Sequence, residues 1–287
     1  MCGRYATTVD PALLAVELDA IDETVSGGRE PTEAYNAANY NVAPTDSVLA
    51  VVSRHSHEHP DDAPTRRIRR MRWGLVPPWT KAEEPGTGGA PGRRPARSAP
   101  LINARADTAA SKPAFRAALR STRCLVPMDG WYEWIAEPAG AGPSGSRPSG
   151  PGRSGKVVKV PYFMTPVDGS RLFAAGLWSV WHPPGPGGGD EPPLLSCTIL
   201  TTDSVGELQH VHDRMPLVLG AGQWDRWLDP DSEPDAELLA GPSAAEVAGI
   251  EIRRVSQRVN SVANDGPDLI APAGPVGPAV GEQISLL

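Results

Sequence analysis

Seven segments of the chain carry apolar and aromatic residues in short runs bounded by Gly or Pro, the signature of β-strands. They are SVLAVV (47–52), RIRRMRWGLV (67–76), CLVPMDGWYEWI (124–135), PYFMTPV (161–167), LFAAGLWSVW (172–181), LLSCTILTT (194–202) and EIRRVSQRV (251–259). Helical spacing fits TAASKPAFRAALRS (108–121), DSVGELQHVH (203–212) and AGQWDRWL (221–228). Strands dominate and do not alternate regularly with helices. That predicts one α+β domain around an antiparallel, barrel-like β-sheet with flanking helices, not a doubly wound sheet. The domain is expected to run over residues 1–265, with 266–287 as a C-terminal tail. Gly/Pro/Ser-rich tracts near 83–100, 137–155 and 183–193 bury too little apolar surface to offset chain entropy, and read as surface insertions.

Composition narrows the class. Hydrophobic residues make up 40% of the chain, enough for a packed core, and Gly (30) with Pro (32) fits the long insertions. No run approaches the ~18 apolar residues of a membrane span. The opening MCGRYATTVD lacks the basic-then-apolar pattern of a signal peptide. A cytoplasmic protein is expected, associated with the nucleoid if the cell is bacterial. Three cysteines, Cys2, Cys124 and Cys197, form no CxxC pair and are odd in number, which argues against a disulfide framework and against structural zinc. No cofactor is expected. A net charge of −7 argues against wholesale coating of nucleic acid. It leaves room for a local basic groove, because recognition depends on the field at the site. TRRIRRMRW supplies one with Arg66, Arg67, Arg69, Arg70 and Arg72.

Candidate chemistry begins at the second residue. A buried structural cysteine is not expected at a terminus, where chains fray. Once Met1 is lost, Cys2 would carry an α-amine of pKa about 7.7–8.0 beside a thiol of about 8.5. An aldehyde condenses with such an amine to an imine, and the adjacent thiol can close a thiazolidine. In INARAD (102–107) an extended strand puts Asn103 and Arg105 on one face, as donors for an oxygen or a phosphate, although an Asn and an Arg at a strand end are more often structural. In DGWYEW (129–134) Glu133 shares a face with Trp131; a carboxyl among aromatics is desolvated and suited to proton transfer. A Glu on an exposed strand edge fits the same pattern. HVHDRMP supplies His210, His212, Asp213 and Arg214: an acid/base near neutrality, a bidentate phosphate donor, and no convincing third metal ligand. Trp73 and Trp79 beside the arginine run offer faces for base stacking or, more plainly, for the core.

Together these blocks resemble one family, the SOS response-associated peptidases, which crosslink to abasic sites in DNA. The resemblance rests on MCGRYA, YNVAPT (40–45), WGLVPPW (73–79), INARAD, RCLVPMDGWYEW (123–134), AGLW (175–178) and HDRMP (212–216), in the family's order over residues 1 to about 220. It implies that Cys2, freed by loss of Met1, bonds to the ring-opened abasic aldehyde as a thiazolidine. It implies further that Asn103 stabilises the N-terminus and the linkage. Glu133 would assist Met1 removal and proton transfer, and His212 would help open the sugar ring. Arg4, Arg105 and Arg214 match phosphate contacts, and Trp73 a wedge against bases. The implied partner is single-stranded DNA with abasic sites, bound by a monomer with peptidase and lyase-type activity. Two departures are Asp107, where the family more often has Glu, and Met128, where Ala is usual. Two other classes fit the residues: a thiol peptidase acting on other proteins, and a non-catalytic single-stranded DNA-binding module.

Overall fold

A computed structural model describes residues 2–24, 38–82, 95, 99–138, 157–183 and 192–273. Most of the three expected insertions, and residues 274–287 of the expected tail, lie outside the described residues. The elements begin with β1 (Tyr5–Thr7), α1 (Pro11–Leu18), β2 (Ile21–Asp22), β3 (Asn39–Val42), β4 (Ser47–Arg54) and β5 (Thr65–Trp73). Next come β6 (Asn103–Arg105), α2 (Ala106–Ala109), α3 (Pro113–Ser121), β7 (Arg123–Met128), β8 (Gly130–Pro138) and β9 (Val157–Pro166). The last are β10 (Leu172–Trp181), β11 (Leu194–Asp203), β12 (Arg214–Pro216), α4 (Trp224–Leu228), α5 (Ala236–Leu239) and β13 (Ile250–Arg254).

The strands form two sheets, and the fold is the α+β, barrel-like one expected. One sheet has the order β13-β9-β8-β1-β3. The other runs β12-β11-β10-β7-β4-β5-β2, with β6 beside β11. A parallel pairing of β11 with β5, Cys197 opposite Trp73, curls this second sheet toward a barrel. Alternation along β4 explains its unbroken apolar run. Val48, Ala50 and Val52 enter the core that also holds Cys2, Tyr5, Trp73 and Trp131, whereas Leu49 and Val51 face a core covered by α1, α3 and α4. A third cluster, Ala6, Tyr132, Phe163, Val255, Val259 and Leu269, packs the C-terminal segment on the first sheet. Order therefore continues past residue 265: Leu269 is buried and Pro272 bridges to Val255.

Several expected elements break for local reasons. The helix expected over 108–121 stops and restarts, because Pro113 pushes Lys112 into an extended conformation (φ −82, ψ 126) and opens α3 itself. The strand expected over 124–135 divides at Asp129, so β7 joins the barrel-like sheet and β8 the five-stranded one. The helix expected over 203–212 is a single 3-10 stretch, Gly206–His210. EIRRVSQRV leaves the sheet after Arg254 and turns into a 3-10 stretch at Gln257.

At Gly130 β8 and β9 approach each other closely. A Cβ there would press on the Met164 carbonyl and lie 2.6 Å from Phe163 Cζ. Backbone cannot yield as a side-chain tip can, so Gly130→Ala is expected to cost about 1–3 kcal/mol. Chemical denaturation checks this, and an unchanged midpoint would contradict it.

Candidate functional site

The start of the chain enters a sheet at once. β1 pairs with β8, Tyr5 opposite Trp131 and Ala6 opposite Gly130, and with β3 on its other side. The Tyr132 amide donates to the Arg4 carbonyl at 3.0 Å, so the β8 register carries on beyond β1 toward Cys2. The consequence corrects one expectation: Cys2 is not frayed but fully buried, its neighbours supplied by β1 and both sheets. Burial, reinforced by the Glu133 charge, pushes its thiol well above the ordinary range. Its Sγ lies 3.8 Å from the Arg4 carbonyl.

Asn103 comes from β6, which lies parallel to β11 with Asn103 opposite Ile199. Its Nδ2 donates to the Cys2 carbonyl at 2.7 Å, which fixes the backbone of that residue. Asn103 Oδ1 is buried and has no partner among the described residues. Ala104, pointing the other way, is buried in the second core, so the alternation read from INARAD holds. Arg105 is exposed and grips Asp107 bidentately, at 2.6 and 3.1 Å. Asp107 thus serves as the partner of Arg105 at one of the two departures noted above.

Glu133, on β8, is 5% exposed and corrects the edge-strand alternative. Burial raises its carboxyl above the ordinary 4.5, against the opposing pull of the N-terminal charge and His212. With His212, Arg214, Ser204, Trp131 and Met164 it lines a narrow crevice. The crevice adjoins an open cleft of about 550 Å³ bordered by Trp134, Lys159 and Asn260. His212 Nδ1 lies 3.0 Å from the Arg214 amide and 2.6 Å from Asp213 Oδ1. Both cannot be satisfied at once. A neutral ring protonated on Nε2 accepts from the amide, whereas a doubly protonated ring donates to Asp213. His210 stands apart, 79% exposed at its side chain. Among the described residues no group of three or more His, Cys, Asp or Glu could hold a metal ion.

The arginines divide by environment. Arg214 is nearly buried, tied to Asp203 Oδ1 and the Thr201 carbonyl, each at 2.5 Å. Arg4 is held by Asn41 Oδ1 at 2.6 Å and the Val259 carbonyl at 3.0 Å, while Asn41 Nδ2 reaches Ser261 and Asn264. In the arginine run, Arg66 pairs with Asp225, and Arg67 and Arg69 both pair with Glu23. The tryptophans correct a second expectation. Trp73 is fully buried, edge-on to Tyr5 at 5.2 Å, and its indole donates to the Ile102 carbonyl at 2.9 Å. It has no free face for a base. Trp79 is 59% exposed, so the accessible ring in WGLVPPW is that of the second tryptophan. Sequence reasoning also missed Asn41, whose signal was an Asn amid apolar neighbours in YNVAPT.

The chain is similar to known proteins over almost its whole length. A family model described as SOS response associated peptidase matches residues 1–262. Abasic site processing protein YoqW of Bacillus subtilis (strain 168) is 33% identical over 273 residues, 94% of this chain and 99% of that one. Abasic site processing protein HMCES of Gallus gallus is 31% identical over 296 residues, 95% of this chain and 78% of that one. A solved structure from Bacteroides thetaiotaomicron shares the fold with a TM-score of 0.63 at 21% identity, covering 95% of this chain and all of the other. No helix among the described residues is long and apolar enough to cross a membrane.

Proposed function

This chain belongs to the SOS response associated peptidase family, and from that premise we propose that it processes abasic sites in DNA by capturing their aldehyde at Cys2. The observation that carries the proposal is the convergence on the second residue. Asn103 donates to the Cys2 carbonyl, the Glu133 charge acts on the Cys2 thiol, and His212 lines the same crevice and favours the Glu133 carboxylate. The relatives named for abasic site processing support the substrate class.

The chemistry starts with hydrolysis of the Met1–Cys2 bond, one water consumed and methionine released. The freed amine adds to the C1′ aldehyde of the ring-opened sugar, and the carbinolamine loses water to give an imine. Cys2 sulfur then adds to the imine carbon while its proton moves to nitrogen, closing a thiazolidine. Overall, one aldehyde, one amine and one thiol yield one ring and one water. Ring closure makes the adduct durable, because the thiol is held beside the imine at high effective concentration. Asn103 Oδ1 is an acceptor suited to hold the amine, Glu133 and His212 exchange the protons, and His212 opens the sugar ring. Exposed Arg105 faces strand phosphates, buried Arg214 braces the wall of the crevice through Asp203 and Thr201, and Arg4 stabilises the segment that bears Cys2. Trp79 offers a stacking face. The substrate is single-stranded, the acting species is a monomer, and captured lesions are shielded from strand scission by β-elimination.

The test is a denaturing gel of purified protein with single-stranded DNA carrying one abasic site. A heat-stable shifted band is expected, lost in Cys2→Ala, in Cys2→Ser and in a form that keeps Met1. A band that survives Cys2→Ala would overturn the assignment of the nucleophile. No band, with cleavage of a supplied protein substrate, would make the protein a thiol peptidase instead.

A further inference from the structure

Three arginines project toward one carboxylate at the β4–β5–β2 margin. Along β5, Arg67 and Arg69 share a face, and antiparallel pairing puts Arg54 of β4 at the same end (Val52 opposite Arg67, Arg54 opposite Thr65). Glu23, just past β2, is the acid they share: Arg67 Nη1 and Arg69 Nε each donate to it. The four side chains are only partly accessible, with Arg67, Arg69 and Glu23 at 17, 24 and 13%. Three guanidinium charges against one carboxylate leave an excess of two positive charges in a half-desolvated setting. Arg67 Nε is buried without an acceptor among the described residues. Burial and repulsion from Arg69 and Arg67 both lower the proton affinity of Arg54. Such an excess is costly unless an anion completes it.

Spacing separates this cluster from the reacting end. Trp73, whose indole touches Ile102 beside Asn103, is four residues from Arg69 and six from Arg67. At about 3.3 Å per residue, the cluster begins ~13 Å and extends ~20 Å along β5 from Trp73. Planar guanidinium groups bind phosphate oxygens two at a time.

We propose that Arg54, Arg67 and Arg69 form a phosphodiester-binding tract, remote from Cys2, that holds the backbone of the DNA strand flanking the lesion. The proposal rests on the DNA-processing reading above, yet it concerns undamaged DNA and needs no covalent step. A protein with net charge −7 thereby gains affinity at one local positive site.

The test measures anisotropy of a labelled, undamaged single-stranded oligonucleotide with full-length Cys2→Ala protein across a salt series. Each lost phosphate contact lowers the slope of log affinity against log salt by about 0.7. Arg54→Ala is expected to lower the slope by about that amount and weaken low-salt binding several-fold, with Arg54→Glu weaker still. Arg226→Ala, which removes an exposed arginine paired with Asp235 and Glu237, is expected to leave the slope unchanged. If Arg54→Glu fails to fold, Arg69→Lys keeps the charge and loses the planar fork, and should weaken binding at an unchanged slope. Equal slopes and affinities for the parent and Arg54→Ala would overturn the proposal. So would inorganic phosphate that raises the melting temperature of the parent but not of Arg54→Ala, with oligonucleotide affinity unaltered, since the tract would then hold a free anion. A failure of abasic crosslinking would leave this result untouched.

Discussion

Glu133→Gln is expected to slow adduct formation by about 10²–10⁴-fold, the range supplied by one positioned proton-transfer group. The change is nearly isosteric and removes only the ability to ionise. Wild-type rates should show a limb set by a carboxyl that titrates above the ordinary 4.5, because burial disfavours its charged form. That limb should vanish in Glu133→Gln. Stability should move the opposite way. The folded pKa is raised, so the contribution of this group is full below its unfolded pKa and is lost as pH rises through the folded value. At neutral pH the wild type therefore holds a buried carboxylate at a cost, and Glu133→Gln should melt higher there, with the gap closing in acid. Single-turnover rates and melting curves across pH check both halves. A variant with normal rates would remove Glu133 from the mechanism.

Arg123→Met is expected to cost about 3–5 kcal/mol of stability, the largest single loss away from the site. The guanidinium is 3% exposed and donates to the carbonyls of Leu119, Arg120, Trp227, Asp229 and Ser232, while its carbon lies 5.7 Å from the Trp227 ring centroid. These carbonyls close the ends of α3 and α4, where a cation also meets the helix dipoles favourably. Met fills the volume and leaves the acceptors without donors. The melting temperature should fall by roughly 6–20 °C. A loss under about 1 kcal/mol in urea unfolding would show that water replaces the guanidinium.

Where one principle governed, the sequence was enough. β4, β5, β10 and β11 follow from β-branched and aromatic runs, and the α+β class follows from their dominance. Read with period two, INARAD sets Asn103 against Ala104 and DGWYEW puts Glu133 on the Trp131 face. The reach of Asn103 to Cys2 is implied only by the family resemblance, and the pattern leaves Glu133 either desolvated or on an exposed edge. Long-range contacts decided the rest. Tyr5–Thr7 is too short to announce itself as a strand and gains that status only between β3 and β8. PALLAVEL hides a helix whose Asp10 cap bonds Ala12 and Leu13. Trp73 and Trp79 are chemically alike on paper, and only the approach of Tyr5 and Ile102 separates the core ring from the exposed one. The arginine run looks wholly free in one dimension, whereas Glu23 and Asp225 neutralise part of it from distant segments.

The grip of Val259 and Asn41 on Arg4 has a consequence for biosynthesis. Translation delivers Arg4 some 255 residues before Val259, the later of its two anchors. At about 5–20 residues per second, that gap is on the order of tens of seconds. Throughout that interval the strand beside Cys2 lacks the Val259 carbonyl that holds Arg4, so this clasp closes only after the ribosome has passed residue 259.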